Sequence, residues 1–285
     1  MKTVRKVKEL VRGSAQQDGA GVKLVRVLGR DTVRSFDPFL MLDAFDSTNP
    51  DDYTKGFPFH PHRGIETVTY LVSGCIEHQD SMGNKGKITD GACQWMTAGS
   101  GIIHQEMPRP ARRMLGLQLW INLPQKDKMA DPAYRDLRAD KIPVVTVDGA
   151  EVRVISGSFG QTEGVFQGEY VKTTLLDVTL AAGAEFRLPV AKGNTVFAYI
   201  LEGTGAFEEG GENIACKTAV LLGGGDEVCV RAAAGGMRFV LFSAKPLGED
   251  VAWGGPVVMN TREEVRQAFG EIGAGTFIKH KPSGV

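Results

Sequence analysis

Apolar and polar residues alternate along many short stretches of this chain, as they do in β-strands that bury one face. In the clearest example, Leu115, Leu117, Leu119 and Ile121 fall on one face of a strand and the residues between them on the other. Similar runs, rich in β-branched and aromatic residues, cover 65–72, 152–155, 171–180, 195–201, 227–231 and 237–242. Glycine, proline or charged turns separate the runs, which predicts a β-sandwich or barrel and not alternating strands and helices.

One helix is predicted near the end of the chain. Thr261 and Glu264 form a capping-box pattern ahead of an apolar run, and Gly270 and Gly273 follow as stop signals. These features predict a short helix over 261–269. A weaker helical or irregular stretch covers 125–140.

A faint internal repeat indicates two halves of the same kind. The sequence YLVSG at 70–74 is similar to YILEG at 199–203, and GSG at 99–101 is similar to GGG at 223–225. Both pairs occur in the same order and at nearly equal spacing, 129 and 124 residues, which favours a duplicated β-barrel.

The domain boundary is expected at the polar, proline-flanked stretch that follows the first half of this repeat. We therefore predict an N-terminal barrel over residues 1–135. A C-terminal barrel over residues 136–285 is predicted to carry the helix as an extension.

Composition and charge exclude several classes of protein. The 285 residues carry 33 Lys and Arg against 34 Asp and Glu, which gives no electrostatic case for binding nucleic acid or a membrane surface directly. The four cysteines form no CxxC pair, and the charged N-terminus has no apolar segment of an export signal. We expect a cytoplasmic, monomeric protein without a membrane span.

The N-terminal stretch is basic. Its cations are Lys2, Arg5, Lys6, Lys8 and Arg12. A solvated edge strand explains them, because lysine on an edge blocks aggregation. Docking of a protein partner is the alternative.

Four of the five histidines lie within 45 residues of one another. His60 and His62 are two residues apart, and so are His104 and Glu106, so each pair projects from one face of a strand. Two neighbouring strands could thus aim three nitrogens and one oxygen at one point, a donor set that suits iron, nickel, copper, manganese or zinc. His78 lies outside the pairs and is predicted in a solvated loop.

Two sequence blocks resemble the conserved blocks of the cupin superfamily. The first runs from Gly56 through His60 and His62 to Glu66, and the second from Gly91 to His104. Longer segments at 36–45, 57–74, 95–108 and 255–269 resemble the pirin family of bicupins. The resemblance implies an all-β protein of two cupin-type β-barrels (a bicupin) with a short C-terminal helix.

The resemblance also implies a ligand set. Ordinary cupins use the glutamate of the first block, here Glu66, whereas pirins use the one two residues after the second-block histidine, here Glu106. Gly64 could also break the strand parity that would align Glu66 with the histidines. We predict metal ligands His60, His62, His104 and Glu106, with iron as the first expectation and nickel, copper, manganese, cobalt or zinc as alternatives.

The second half of the repeat lacks this donor set. At the repeat offsets, the four ligand positions correspond to Pro189, Ala191, Val228 and Val230. None of these can bind a metal through its side chain. The C-terminal barrel is therefore expected to pack, to shape the site or to meet a partner.

The resemblance to the pirin family implies two kinds of function. The first is a metal-dependent dioxygenase of quercetinase type, which opens the ring of flavonols or similar enolic aromatics with dioxygen, with Glu106 as both ligand and catalytic base. The second is an iron-dependent regulatory protein, a transcription cofactor or a modulator of a metabolic enzyme, that acts on a protein partner. The sequence leaves both open.

Overall fold

The computed structural model describes residues 2–280 and confirms the all-β class. About 54% of the residues are in strands and 9% in helices. The first half of the chain contains the strands β1 (Val7–Arg12), β2 (Ser14–Asp18), β3 (Val22–Leu28), β4 (Phe39–Ser47), β5 (Phe57–His62), β6 (Ile65–Ser73), β7 (Cys75–Asp80), β8 (Lys85–Thr89), β9 (Cys93–Thr97), β10 (Ile102–Pro108), β11 (Met114–Asn122) and β12 (Ala133–Leu137).

The second half is built in the same way. It contains the strands β13 (Val144–Val147), β14 (Ala150–Ser156), β15 (Ser158–Phe159), β16 (Thr162–Glu163), β17 (Thr174–Leu180), β18 (Glu185–Pro189), β19 (Thr195–Ala206), β20 (Ile214–Ala215), β21 (Thr218–Leu222), β22 (Glu227–Ala244), β23 (Ala252–Gly254) and β24 (Val257–Met259). The helices are α1 (Val33–Phe36) and α2 (Arg262–Gly273), with 3-10 turns at Arg30–Thr32, Pro50–Asp52 and Gln125–Asp127.

The chain folds into two compact units. One, the N-terminal barrel, comprises Ser14–Arg34, Phe39–Ala139 and the described residues from Leu247 onwards. The other, the C-terminal barrel, comprises the described residues up to Gly13, Ser35–Pro38 and Asp140–Pro246.

Strand order confirms the duplication that the repeat indicated. One sheet of the N-terminal barrel has the order β12-β9-β6-β11-β4-β3-β2, and the main sheet of the C-terminal barrel has the order β1-β21-β19-β22-β17-β14-β13. The first repeated pair of sequences lies at β6 and β19, the third strand of each order, and the second pair follows β9 and β21, the second strand of each order. Each barrel therefore repeats one arrangement of seven antiparallel strands.

The ends of the chain differ from the predicted boundaries of 1–135 and 136–285. Strand β1 pairs with β21 of the C-terminal barrel, where it takes the place that β12 takes in the N-terminal barrel. The last segment, with β23, β24 and α2, belongs to the N-terminal barrel. The predicted boundary placed the first residues of the chain in the N-terminal barrel and the last residues in the C-terminal barrel, whereas the structure places each in the other barrel.

The basic N-terminal stretch forms an edge strand, as predicted, with one exception. Arg5 is buried, and its guanidinium donates hydrogen bonds to the backbone oxygens of Gly223, Ala191 and Lys192 at 2.9–3.1 Å. This side chain therefore attaches the segment before β1 to the C-terminal barrel and is not solvated.

The predicted helix and strands are present, with changes in length. Thr261 caps α2 by accepting from the backbone N–H of Glu264, whose carboxylate accepts in turn from that of Thr261. The helix continues past Gly270 and ends at Gly273, the second predicted stop signal, so it extends beyond the predicted span of 261–269. The runs predicted at 227–231 and 237–242 form the single strand β22.

Two of the four positions that correspond to the predicted ligands lie in the apolar core of the C-terminal barrel, whereas Pro189 and Ala191 are exposed. Val228 and Val230 are fully buried in a cluster that includes Phe186, Phe207 and Phe239. These side chains offer no donor atom for a metal ion. Among the described residues, no helix has the length and apolar character needed to cross a membrane.

Candidate metal centre

Three of the predicted ligands come together in the N-terminal barrel. His60 and His62 lie on β5 and His104 on the neighbouring antiparallel strand β10, in a separate sheet of order β5-β10-β7-β8. His104 lies opposite His60, and Ile102 lies opposite His62. One ligand atom of each histidine lies within 4.8 Å of those of the other two. The same-face argument from the i, i+2 spacing is therefore confirmed for His60 and His62.

The hydrogen bonds of two of these rings determine which nitrogen faces the others. His60 Nδ1 is 2.8 Å from the carbonyl oxygen of Pro58, and His62 Nδ1 is 3.2 Å from that of Pro256. Because a carbonyl oxygen can only accept, each Nδ1 carries the proton and each Nε2 presents a lone pair. A hydrogen bond at one ring nitrogen is the usual way in which a protein orients a histidine ligand.

His104 supports the fit of a metal ion most directly. Its Nε2 is buried and has no hydrogen-bond partner among the described residues. A buried polar atom without a partner is costly, and a metal ion at the three-histidine cluster would satisfy it. The donor set thus fits a divalent transition metal.

Burial keeps two of the rings neutral. Burial, assisted by the neighbouring His60 ring, lowers the pKa of His62 to about 3. Burial and the rings of His62, His60 and His78 also lower the pKa of His104 well below its usual value. At neutral pH these two ligands therefore need to lose no proton before they bind a metal.

Glu106 is buried on the same strand as His104 but is not part of the three-histidine cluster. Its carboxylate accepts hydrogen bonds from Thr69 Oγ1 at 3.0 Å and from Gln118 Nε2 at 2.6 Å. The pairing of β10 with β5 shifts register between His104 and Glu106. The role of Glu106 as fourth ligand stays a prediction.

Glu66 lies in a different sheet from the histidines. It is on β6, where its carboxylate accepts from Thr97 Oγ1 on the adjacent strand at 2.8 Å. Gly64 separates β5 from β6 with a positive φ of 77°, so strand parity does not carry from His62 to Glu66. Glu66 is also outside the three-histidine cluster.

Replacing Gly64 by alanine should destabilise the N-terminal barrel. A Cβ at this position would lie 2.0 Å from the carbonyl oxygen of Val258, and the positive φ alone costs about 1–3 kcal/mol for a residue with a side chain. Gly275→Ala is the matched control, because its φ is 68° and nothing lies within 4 Å of its added Cβ. Denaturant unfolding should show a clearly larger loss for Gly64→Ala. Equal losses would mean that the contact with Val258 relaxes freely.

His78 is buried, so its predicted place in a solvated loop is wrong. It lies on β7, is 2% exposed and stacks on Tyr134 with ring centroids 4.2 Å apart. Its ring centroid is 5.3 Å from that of His104. Asp80, two residues further on, accepts from His78 Nε2 at 3.2 Å. The i, i+2 spacing of His78 and Asp80 is a sequence signal for this burial that the solvated-loop prediction does not use.

A cavity of about 670 Å³ adjoins the cluster. His60 and His62 line it together with the aromatic side chains of Phe57, Trp120 and Trp253. The ring centroids of Trp120 and Trp253 are 5.8 Å apart, and Trp120 meets the His62 ring edge-on at 4.9 Å. The volume is within the range of small-molecule sites, which are mostly apolar with a few placed polar groups.

Polar residues that the sequence did not single out form part of the cavity wall. Arg26 donates two hydrogen bonds to the buried carboxylate of Asp43, at 2.9 and 2.8 Å, and both residues line the cavity with Gln118. Gln118 and Trp120 are on the face of β11 opposite Leu117 and Leu119. The alternation along β11 therefore identified the face that borders the cavity, although not the cavity itself.

A buried lysine joins the last segment of the chain to this barrel. Lys128 Nζ donates to the carbonyl oxygens of Gly64 and Val258 and to Asn122 Oδ1, at 2.5–2.8 Å. Val258 lies on β24. Pro256, which directly precedes this strand, accepts the hydrogen bond of His62 Nδ1 through its carbonyl oxygen. The segment after the C-terminal barrel thus helps to orient a predicted metal ligand, which no local sequence pattern indicates.

Known proteins with a similar sequence or fold match this chain along most of its length. The pirin family matches residues 21–121, and the pirin C-terminal cupin domain matches residues 175–278. A pirin-like protein of Caulobacter vibrioides is 44% identical over 277 residues, which cover 96% of this chain and 99% of that one. Pirin of Homo sapiens is 40% identical over 275 residues, which cover 94% and 92%.

A solved structure gives the same result for the fold. The crystal structure of quercetin 2,3-dioxygenase from Acinetobacter baumannii is similar with a TM-score of 0.88 and 30% sequence identity, covering 96% of this chain and 99% of that one. The two halves of the chain are two cupin domains, and each half has a separate match to the pirin family. This accounts for the duplicated strand order. The chain belongs to the pirin family.

Proposed function

We propose that this protein is a metal-dependent dioxygenase of quercetinase type that acts on flavonols or similar enolic aromatics. The observation that carries the proposal is the aromatic-walled cavity beside three converging histidines. The similarity to a solved quercetin 2,3-dioxygenase supports it. Iron is the metal that we propose first, held by His60, His62 and His104 with Glu106.

The cavity suits a flat, electron-rich substrate. Trp120, Trp253 and Phe57 offer aromatic surface on which a fused ring can stack. Arg30 lies over the Trp253 ring, with its guanidinium carbon 5.7 Å from the centroid, and also lines the cavity. Its charge favours a phenolate or enolate over a neutral hydrocarbon.

Glu106 is the base that we propose for the enol proton. A flavonol must lose this proton before it becomes electron-rich enough to react with dioxygen, and a bound divalent cation favours the deprotonated oxygen as a Lewis acid. Gln118 and Thr69 hold the Glu106 carboxylate in place through its two oxygens. Gln118 also lines the cavity, so one hydrogen-bond partner of this carboxylate reaches the wall of the proposed substrate site.

Oxygen uptake by the metal-loaded protein tests the proposal. The protein is purified without oxygen and analysed for metal, and oxygen consumption and carbon monoxide release are then measured with a panel of flavonols. The matched control is the flavone that lacks the enolic hydroxyl. We expect uptake and carbon monoxide with the flavonol alone. Bound metal without uptake for any enolic aromatic would contradict the proposal and favour a regulatory, partner-binding protein.

A further inference from the structure

Behind the three-histidine cluster lies a chain of buried polar side chains that leads away from His104. The Nδ1 atoms of His104 and His78 are 3.5 Å apart. His78 is bonded in turn to Asp80, which lies opposite His104 in the pairing of β7 with β10. Both His104 and His78 are almost fully buried, so water does not compete for these contacts.

The chemistry of each group determines the direction of the hydrogen bonds. The Asp80 carboxylate can only accept, so His78 Nε2 carries a proton and His78 Nδ1 presents a lone pair. Gln94 Nε2 donates to that Nδ1 at 2.6 Å. His104 Nδ1 approaches the same lone pair at 3.5 Å, a contact that is favourable only if His104 Nδ1 carries a proton and shares this acceptor with Gln94. This leaves the lone pair of His104 on Nε2, the buried atom without a partner.

Asp80 is itself fixed by the turn that follows β7. Its Oδ1 accepts from the backbone N–H groups of Met82 and Asn84 at 2.9 and 3.0 Å, and its Oδ2 accepts from Asn84 Nδ2 at 2.9 Å. Although burial opposes it, hydrogen bonds from His78 and Asn84 lower the pKa of Asp80. The carboxylate is therefore ionised and immobile where it meets His78.

We propose that His78 and Asp80 are positioning residues that hold His104 in the tautomer and orientation needed to bind a metal ion through Nε2. The inference rests on the proposed metal centre, since it assigns residues that support one of its ligands. His60 and His62 are oriented by backbone carbonyls, whereas His104 is oriented by a side chain that carries the effect of a buried negative charge. Substitution of a neighbouring side chain can therefore perturb the orientation of His104 without affecting that of His60 or His62.

The test compares metal affinity among variants of the full chain, with Co²⁺ as the probe. His78→Phe keeps a ring to stack on Tyr134 but removes the hydrogen bonds to Asp80, Gln94 and His104, so the affinity should fall by about 10–100-fold, the usual cost of losing a partner of a ligand. The absorption bands of bound Co²⁺ should shift, because the His104 ring is free to turn. His78→Gln can still accept from His104 and donate to Asp80, and should recover most of the affinity.

Asp80→Asn supplies a second test that keeps the two backbone hydrogen bonds of the turn and loses only the side-chain bond from Asn84 Nδ2. An asparagine Oδ1 can still accept from Met82 and Asn84, but its amide nitrogen faces His78 Nε2–H and favours the opposite tautomer of His78. His104 Nδ1 then loses its acceptor. We expect weaker Co²⁺ binding and a band shift in the same direction as for His78→Phe.

Tyr134→Phe is the matched control, because it retains the ring that stacks on His78 and removes only a hydroxyl bonded to Asp136. It should bind Co²⁺ as the unaltered protein does. If His78→Phe and Asp80→Asn keep the affinity and the spectrum of the unaltered protein, the positioning role is wrong. If the unaltered protein itself binds no Co²⁺, the proposed metal centre fails first, which is a separate outcome.

Discussion

Replacing His62 by alanine should remove most of the metal from the protein while leaving the C-terminal barrel folded. The change deletes one of the three imidazoles whose ligand atoms lie within 4.8 Å of one another. Because a ligand itself is lost, the affinity should fall by more than the roughly 10–100-fold expected for an outer partner. The core of the C-terminal barrel contains no residue of this site, so its packing should be unchanged.

Elemental analysis after dialysis against a weak chelator measures this effect, with circular dichroism to check folding. His280→Ala is the matched control, since His280 bonds to Ser100 Oγ and is not among the three clustered histidines. We expect about one metal ion per chain in the control and little in His62→Ala. A stoichiometry that stays at one in both variants would show that the ligand assignment is wrong.

The parts of the fold that depend on local pattern could be predicted from the sequence. Strand β11 is an example, because its alternation separates Leu117 and Leu119 from Gln118 and Trp120 whatever surrounds it. The capping box of α2 is another, since the side chains of Thr261 and Glu264 each accept a hydrogen bond from the other's backbone N–H within one turn. The clustering of His60, His62 and His104 needed one further assumption, that β5 and β10 are neighbours.

Features that depend on pairing over long sequence distances could not be predicted. An edge strand has a neighbour on one side only, so nothing in Val7–Arg12 specifies that it pairs with β21, more than 200 residues away. The burial of His78 depends on Gln94 and Tyr134, which come from two other strands. The orientation of His62 depends on Pro256, in a segment predicted to belong to the other barrel.

Glu106 should separate metal binding from catalysis more clearly than any other residue. Glu106→Gln keeps the shape of the side chain and one acceptor oxygen but removes its capacity to take a proton. With three histidines remaining, metal binding should be weakened and not abolished. If the protein is a dioxygenase, turnover of a flavonol should fall by at least ~10²-fold, the usual scale for loss of a positioned base.

Glu66→Gln is the matched control for this experiment, because both glutamates are buried, both accept from a threonine hydroxyl, and the substitution changes the same atoms. Oxygen uptake is measured at equal metal occupancy, so that loss of metal is not mistaken for loss of the base. We expect Glu66→Gln to retain most of the activity, since Glu66 lies on β6 in the other sheet of the barrel. If Glu66→Gln is inactive and Glu106→Gln consumes oxygen at the full rate, the first-block glutamate acts as it does in ordinary cupins, and the base belongs on β6.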